Sequence, residues 1–274
     1  MNKFIALNTN QWLTWVKTLF LIIVLSDVYD DPNRLYAVPV ILLCFYGLFT
    51  PKSSLKNPWF WLCLLVFVPI VKGDYALAAN HHFLEVYILL TFLIQSHYDL
   101  DQAYVEKIFK LIFSILMGIA FGYKVYSSQV LDGSVYHLMW STGVMFENLS
   151  PYLMENYALL VQKNNQLLEQ LSLDFSISTV TLEQGPQVLN GLFMVYAWLI
   201  LIVEFVLCFI FWTRIHKLGH LFLLLFILFV PIATWENTFL SLVSLLAIPQ
   251  IKENKQILMP IYAGIILVYM SLNL

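Results

Sequence analysis

"VYAWLILIVEFVLCFIFW", residues 195–212, runs for eighteen positions with one charged residue, Glu204. A helix rises about 1.5 Å per residue, so this run with its apolar neighbours covers the roughly 30 Å hydrocarbon layer of a bilayer. A helix on the surface of a soluble domain is apolar along one stripe, whereas this one is apolar all round. The whole chain follows suit: 60% of its 274 residues are hydrophobic and 11% charged, against about a quarter charged in soluble domains. It reads as an all-α polytopic membrane protein.

Apolar runs of spanning length fall near 11–27, 35–50, 57–73, 81–97, 105–123, 188–212, 217–234, 236–250 and 257–273. Nine spans is the working count. The run "ENTFLSLVSLLAIPQ" (236–250) is short and follows directly on its predecessor, so a re-entrant segment and eight spans stay open. The N-terminal segment lacks a short apolar core followed by a small-residue cleavage site, so it is expected to be retained. Cys44, Cys63 and Cys208 stand singly in apolar runs, as small core residues do. The stretch 125–187 is expected to form one long loop of about 63 residues; loops of that length carry function or structure of their own. In it Leu159, Leu160, Leu167, Leu168 and Leu171 can share one stripe of an amphipathic helix lying on the membrane or capping a cavity.

Basic residues in short loops favour the cytoplasm. With nine spans, Lys3, Lys52, Lys56, Lys107, Lys110, Arg214, Lys217, Lys252 and Lys255 fall on one side and Arg34, Lys72, Lys124 and Lys163 on the other, with Lys17 inside a span. The N-terminus is therefore expected in the cytoplasm and the long loop outside. A net charge of −3 without any basic run gives nucleic acid no electrostatic footing.

Ionisable groups inside membrane segments are costly and mark functional candidates. In "AANHHFLEVYILL" (78–90), His81 and Glu85 stand one turn apart on one face of a helix, and His82 points about 100° away. Asn80 suits the N-cap, and the first-turn amides create a positive field suited to an anionic or hydrogen-bonding ligand. The alternative places both histidines at headgroup level. His81 and Glu85 offer two ligands at most, so no metal site is expected. In "GIAFGYKVYSSQVLDGSVYHLMW" (118–140), Lys124 ends an apolar helix; a half-desolvated amine can serve as a base near neutral pH, and an ordinary snorkelling lysine is the competing reading. Glu204 must be protonated or paired across helices. Trp235, Glu236 and Asn237 mark a turn between spans, and "NLS" at 148–150 fits a glycosylation acceptor but precedes Pro151.

Three stretches together resemble the transmembrane module of vitamin K-dependent gamma-carboxylases and its smaller bacterial relatives, the HTTM (horizontally transferred transmembrane) family. "NHHFL" (80–84) looks like the family's Asn-His-x-aromatic-Leu segment at the start of a span. "GYKVYSSQVLDG" (122–133) is similar to its pattern of Gly, Lys, polar stretch, apolar pair, acid and Gly, and Glu204 falls where the family places an acid in a later span. The resemblance implies a single transmembrane domain over 1–274 in a bacterial inner membrane. Its cofactor would be a reduced, vitamin K-like quinone, with no metal. Lys124 would be the base and His81 its catalytic neighbour, with Asn80, His82, Glu85 and Glu204 lining the cofactor cavity on the outward side. The substrate would be a peptide, a protein or a small molecule. Two departures stand out: the Lys124-to-Gly133 spacing is one residue longer than the family's, and Trp235, Glu236 and Asn237 stand where a further histidine is expected. With the last span running to 273, substrate recognition is expected to differ from the carboxylase's. A non-catalytic membrane subunit that binds a partner through the long loop is the rival reading. A transporter is the third, disfavoured because no pair of Gly/Pro-broken helices occupies corresponding halves.

Overall fold

The computed structural model describes residues 12–29, 34–72, 80–146, 150–173, 181–183, 186, 188–233 and 236–272, and among these every regular element is helical. The helices are α1 (Trp12–Tyr29), α2 (Arg34–Phe49), α3 (Pro51–Ser54), α4 (Pro58–Lys72), α5 (Asn80–His97), α6 (Gln102–Tyr126), α7 (Ser128–Leu131), α8 (Ser134–Ser141), α9 (Ser150–Leu153), α10 (Tyr157–Leu173), α11 (Val188–Ile210), α12 (His216–Ala233), α13 (Asn237–Ala247) and α14 (Lys255–Leu272). Each of the nine apolar runs is helical over most of its described residues. Among the described residues, four helices are long and apolar enough to cross a membrane: Trp12–Tyr29, Gln102–Tyr126, Leu189–Ile210 and Lys255–Leu272. Shorter apolar helices occupy Ala37–Phe49, Pro58–Val71, His216–Pro231 and Asn237–Gln250. Large side chains such as Leu42, Phe49, Trp198 and Phe209 stay exposed on these helices, as expected of surfaces whose solvent is lipid. Pro39, Pro69, Pro231 and Pro260 lie within helices, a placement that membrane helices tolerate far better than water-exposed ones.

The chain forms two compact units. The first draws on residues up to Ile115, on Ile210–His220 and on the chain from Glu236 onward. Here α1 packs against α2, α13 and α14, while α4 packs on α2 and α5. Small size at Gly47 makes the α2 crossing possible, since a Cβ there would stand 2.5 Å from Leu21 and 2.7 Å from Phe60. The core is a chain of aromatic contacts, Phe20 to Phe92 at 5.6 Å, Phe92 to Trp61 at 4.9 Å and Phe92 to Phe109 at 5.6 Å between ring centres. Helix α13 with the 3-10 turn Ile248–Gln250 is buried along nearly its whole length. One end bonds α1 through Thr238 Oγ1 to Asp27 Oδ1 (3.1 Å), and the other bonds the start of α6 through Gln250 Nε2 to the Glu106 carbonyl (3.0 Å). Its eleven helical and three 3-10 residues extend about 22 Å, enough to join opposite ends of the unit.

The second unit draws on Leu116–Phe209 and on α12 from Leu221. Here the stretch expected as a loop holds four helices, α7 to α10, around a core of Tyr136, Trp140, Met145, Tyr157, Leu160, Leu189, Phe193 and Ala197. Aromatic burial of this kind contributes about 1.5–3 kcal/mol per large side chain, which a bare connector could not supply. Polar bonds close the core: Trp140 Nε1 donates to Ser150 Oγ (2.8 Å), and the Tyr157 hydroxyl donates to the Trp140 carbonyl (2.8 Å). Asn164, fully buried, donates to the Ser141 and Glu183 carbonyls and accepts from the Glu183 amide (3.0, 3.1 and 2.8 Å). Of the expected leucine stripe on α10, Leu160 is buried, Leu167 and Leu168 are half-buried and Leu159 is exposed; the Leu171 side chain lies outside the described residues.

Candidate functional site

Lys124 lies two residues from the end of α6, and Glu204 sits deep in α11. Lys124 Nζ and Glu204 Oε1 are 2.6 Å apart, with the lysine 23% and the glutamate 5% exposed at the side chain. The second carboxylate oxygen, Oε2, is buried and has no hydrogen-bond partner among the described residues. An apolar environment leaves one shared proton two places to sit: on the amine, giving an ion pair, or on the carboxyl, leaving a neutral amine. The amine faces outward and the acid inward.

The motif after Lys124 fixes how the chain leaves α6. Ser127 opens α7, and Asp132 Oδ1 accepts the Ser134 amide at 2.9 Å, which holds the Asp132 carboxyl below its usual range. Gly133 follows in the left-handed region at φ 82°, and a Cβ on it would lie 2.7 Å from the Met194 backbone nitrogen. Any side chain at 133 would collide with α11, which explains a glycine at this corner. The corner sets α8, and with it Tyr136, against the start of α11. Burial, with the Glu204 charge adding to it, pushes the Tyr136 phenol up to about 12. His137 packs against both Trp140 and Phe193, the three rings forming a triangle about 6 Å on a side, and partial burial lowers its imidazole.

In the first unit the "NHH" segment begins α5. The side chains of Asn80 and His81 lie outside the described residues. His82 Nε2 stands 3.9 Å from Asp27 Oδ2, and Asp27 accepts from Thr238 on α13. Glu85, one turn into α5, is fully buried, as are Ser241 and Ser244. Lys124 and Glu204 thus belong together in the second unit, while His82, Asp27 and Thr238 form a polar group in the first, where Glu85 is also buried. Asn237 is buried at the head of α13, and Trp235 lies outside the described residues. Three or more His, Cys, Asp or Glu side chains placed to hold a metal ion are not found among the described residues.

A third centre was legible only as an oddity. Lys17, in the middle of α1's apolar sequence, is 4% exposed. Its ammonium donates to the Leu55 carbonyl (2.7 Å), Gln95 Oε1 (2.7 Å) and Ser96 Oγ (3.0 Å), and it lies 5.2 and 5.5 Å from the ring centres of Trp61 and Phe92. Three acceptors use all three donors of an ammonium, and the rings add cation–π attraction. The site is saturated and ties α1 to the α3–α4 turn and the end of α5. A lysine within an apolar run signals that such partners exist; which residues supply them is decided by helix packing.

No protein-family model, curated protein or solved structure matches this chain.

Proposed function

We propose that the chain is a membrane-embedded enzyme in which Lys124 acts as a base toward a hydrophobic, quinol-like or lipid-linked compound, in the service of modifying a peptide or small molecule. The observation that carries this reading is the Lys124–Glu204 contact of 2.6 Å, which sets a part-exposed amine against a buried acid able to store its proton. The unpartnered Glu204 Oε2 fits a group that exchanges protons better than one that only neutralises a neighbour, because a purely structural buried carboxylate tends to have both oxygens satisfied. A bound quinol would supply a weakly acidic hydroxyl and, once deprotonated, an oxygen-reactive ring. The chain's own part is to accept that proton at Lys124 Nζ, to pass or hold it at Glu204, and to shield the pair with the aromatic core of α8 and α10. The carboxylase-like motif around Lys124 supports the same chemistry.

The nine-crossing arrangement is part of the proposal. The length of α13, bonded at one end to Asp27 and at the other to Glu106, supports a through-going helix over a re-entrant one. The nine-to-four split of basic residues supports a cytoplasmic N-terminus, with α7 to α10 on the outer face of a bacterial inner membrane. A partner-binding subunit is the second reading, favoured by the exposure of Tyr123, Tyr126 and Tyr152 on the second unit, 78%, 95% and 87%.

Lys124→Arg separates the readings. Arginine keeps the charge and the contact to Glu204 but does not give up its proton. In an enzyme it should accumulate normally and lose about 10²- to 10⁴-fold in the product or phenotype that depends on the chain, and the purified parent should carry a quinone detectable by mass spectrometry. Full complementation by Lys124→Arg would remove the base and leave the subunit reading.

A further inference from the structure

In the first unit, where the chain enters α12 and α14, a pocket of about 280 Å³ is lined by Arg214, His216, Lys217, His220, Lys252 and Glu253. Four features of its wall point to one class of ligand.

The first is charge. Lys217 pairs with Glu253 at 2.6 Å and Lys252 pairs with Glu106. Each ammonium keeps further donors after one such contact. Arg214 makes no hydrogen bond or ion pair with any described residue, so its planar fork of donors is uncommitted. The second is the start of α12. Leu218 and Gly219 amides bond the Ile215 carbonyl, which makes Ile215 the N-cap. Its side chain has no acceptor, so the His216 and Lys217 amides at the positive end of an eighteen-residue helix lack a cap. The third is His220, one turn further in and 3% exposed. Its Nδ1 lies 3.0 Å from the Tyr262 hydroxyl, the Gln250 backbone lies beside the ring, and Nε2 makes no hydrogen bond of ordinary geometry among the described residues. The fourth is His216, whose Nδ1 is likewise buried without a hydrogen-bond partner among them.

An uncommitted guanidinium, two ammonium groups, uncapped helix amides and the His216 ring nitrogen are the donor set for a tetrahedral oxyanion, with His220 fixed behind them by Tyr262 and the Gln250 backbone. From this convergence we infer that the pocket binds a phosphoryl anion. Two sources share that chemistry: the headgroup of an anionic phospholipid, which a basic pocket at the end of membrane helices is placed to take, and free phosphate. The site is separate from Lys124 and does not depend on the function proposed there.

The test uses the full chain in neutral detergent, with thermal unfolding followed at constant ionic strength. Sodium phosphate, dioleoyl phosphatidic acid in mixed micelles and dioleoyl phosphatidylcholine in the same micelles are titrated in turn. A saturable rise of about 5 °C at a hundredfold excess over the dissociation constant is expected with phosphatidic acid. The same rise with phosphate identifies a soluble anion as sufficient, and a rise with phosphatidic acid alone identifies a lipid headgroup. Arg214→Gln with Lys217→Gln, both at exposed positions, should melt near the parent without ligand and lose the response, while Lys52→Gln should keep it. Arg214→Gln alone tests the same point where the double variant fails to accumulate. No saturable response to either phosphoryl probe, an equal response to phosphatidylcholine, or a response that survives Arg214→Gln would overturn the site.

Discussion

Lys124 and Glu204 are separated by 80 residues of sequence and by 2.6 Å in space. The contact gives the isolated acid of α11 a partner and leaves the lysine the more exposed of the two, 23% against 5% at the side chain. It also couples the two residues energetically, so each is best probed through the other.

Lys124→Met leaves Glu204 buried without its cation and should cost about 3 kcal/mol. Adding Glu204→Gln removes the stranded charge and should recover most of that loss. A double-mutant cycle by thermal unfolding in detergent measures the coupling. Simple additivity of the two changes would show that the contact contributes nothing.

Lys17→Met deletes three hydrogen bonds and leaves Gln95 Oε1 without its strongest donor in a buried setting. The loss should be about 2 kcal/mol, a fall in melting temperature of roughly 4 °C for a chain of this size. Lys17→Gln, which keeps a donor, should lose less. A melting temperature unchanged in Lys17→Met would mean that the desolvation of the ammonium cancels its bonds.

His137 predicts a pH dependence in the second unit. Its ring is half-buried against Trp140 and Phe193, and that desolvation holds its folded proton affinity below the ordinary value of about 6.5. A depressed folded value means the unfolded chain binds the proton first as pH falls. Stability is therefore full above about pH 6.5 and declines below it, until the folded imidazole also protonates. Tryptophan fluorescence and protease resistance of 134–173 should weaken between about pH 7 and 5. His137→Phe should flatten the profile, and a slope unchanged in that variant assigns the effect elsewhere.

Lys163 on α10 is half exposed and pairs with Glu183 at the surface. A cysteine at 163, in a chain lacking Cys44, Cys63 and Cys208, should react with a membrane-impermeant thiol reagent from outside intact cells. A cysteine at 174, beyond the described residues, should behave alike. Labelling only after permeabilisation would reverse the assigned orientation and move α7 to α10 to the cytoplasm.

The helices were readable from sequence because each is fixed by a local property, an apolar run of sufficient length, and the helical segments begin and end within a few residues of those runs. The candidate polar residues were readable for a related reason: a charge such as Glu204 or Lys17 stands out against an apolar background, whatever its surroundings turn out to be. The glycine after Lys124 was visible as part of a motif, but its reason, the Met194 backbone at van der Waals range, required the folded chain. Tertiary structure alone decided the partners. Glu204 meets Lys124 and Lys17 meets Gln95, Ser96 and the Leu55 carbonyl because separate helices pack side by side, and no periodicity within one helix encodes its neighbour. The same holds for 125–187, whose scattered aromatics Tyr136, Trp140 and Tyr157 looked like loop residues in a polar stretch. Local polarity hid a core that exists because four short helices bury those rings against α11, an energy that appears when distant segments meet and that no single segment carries.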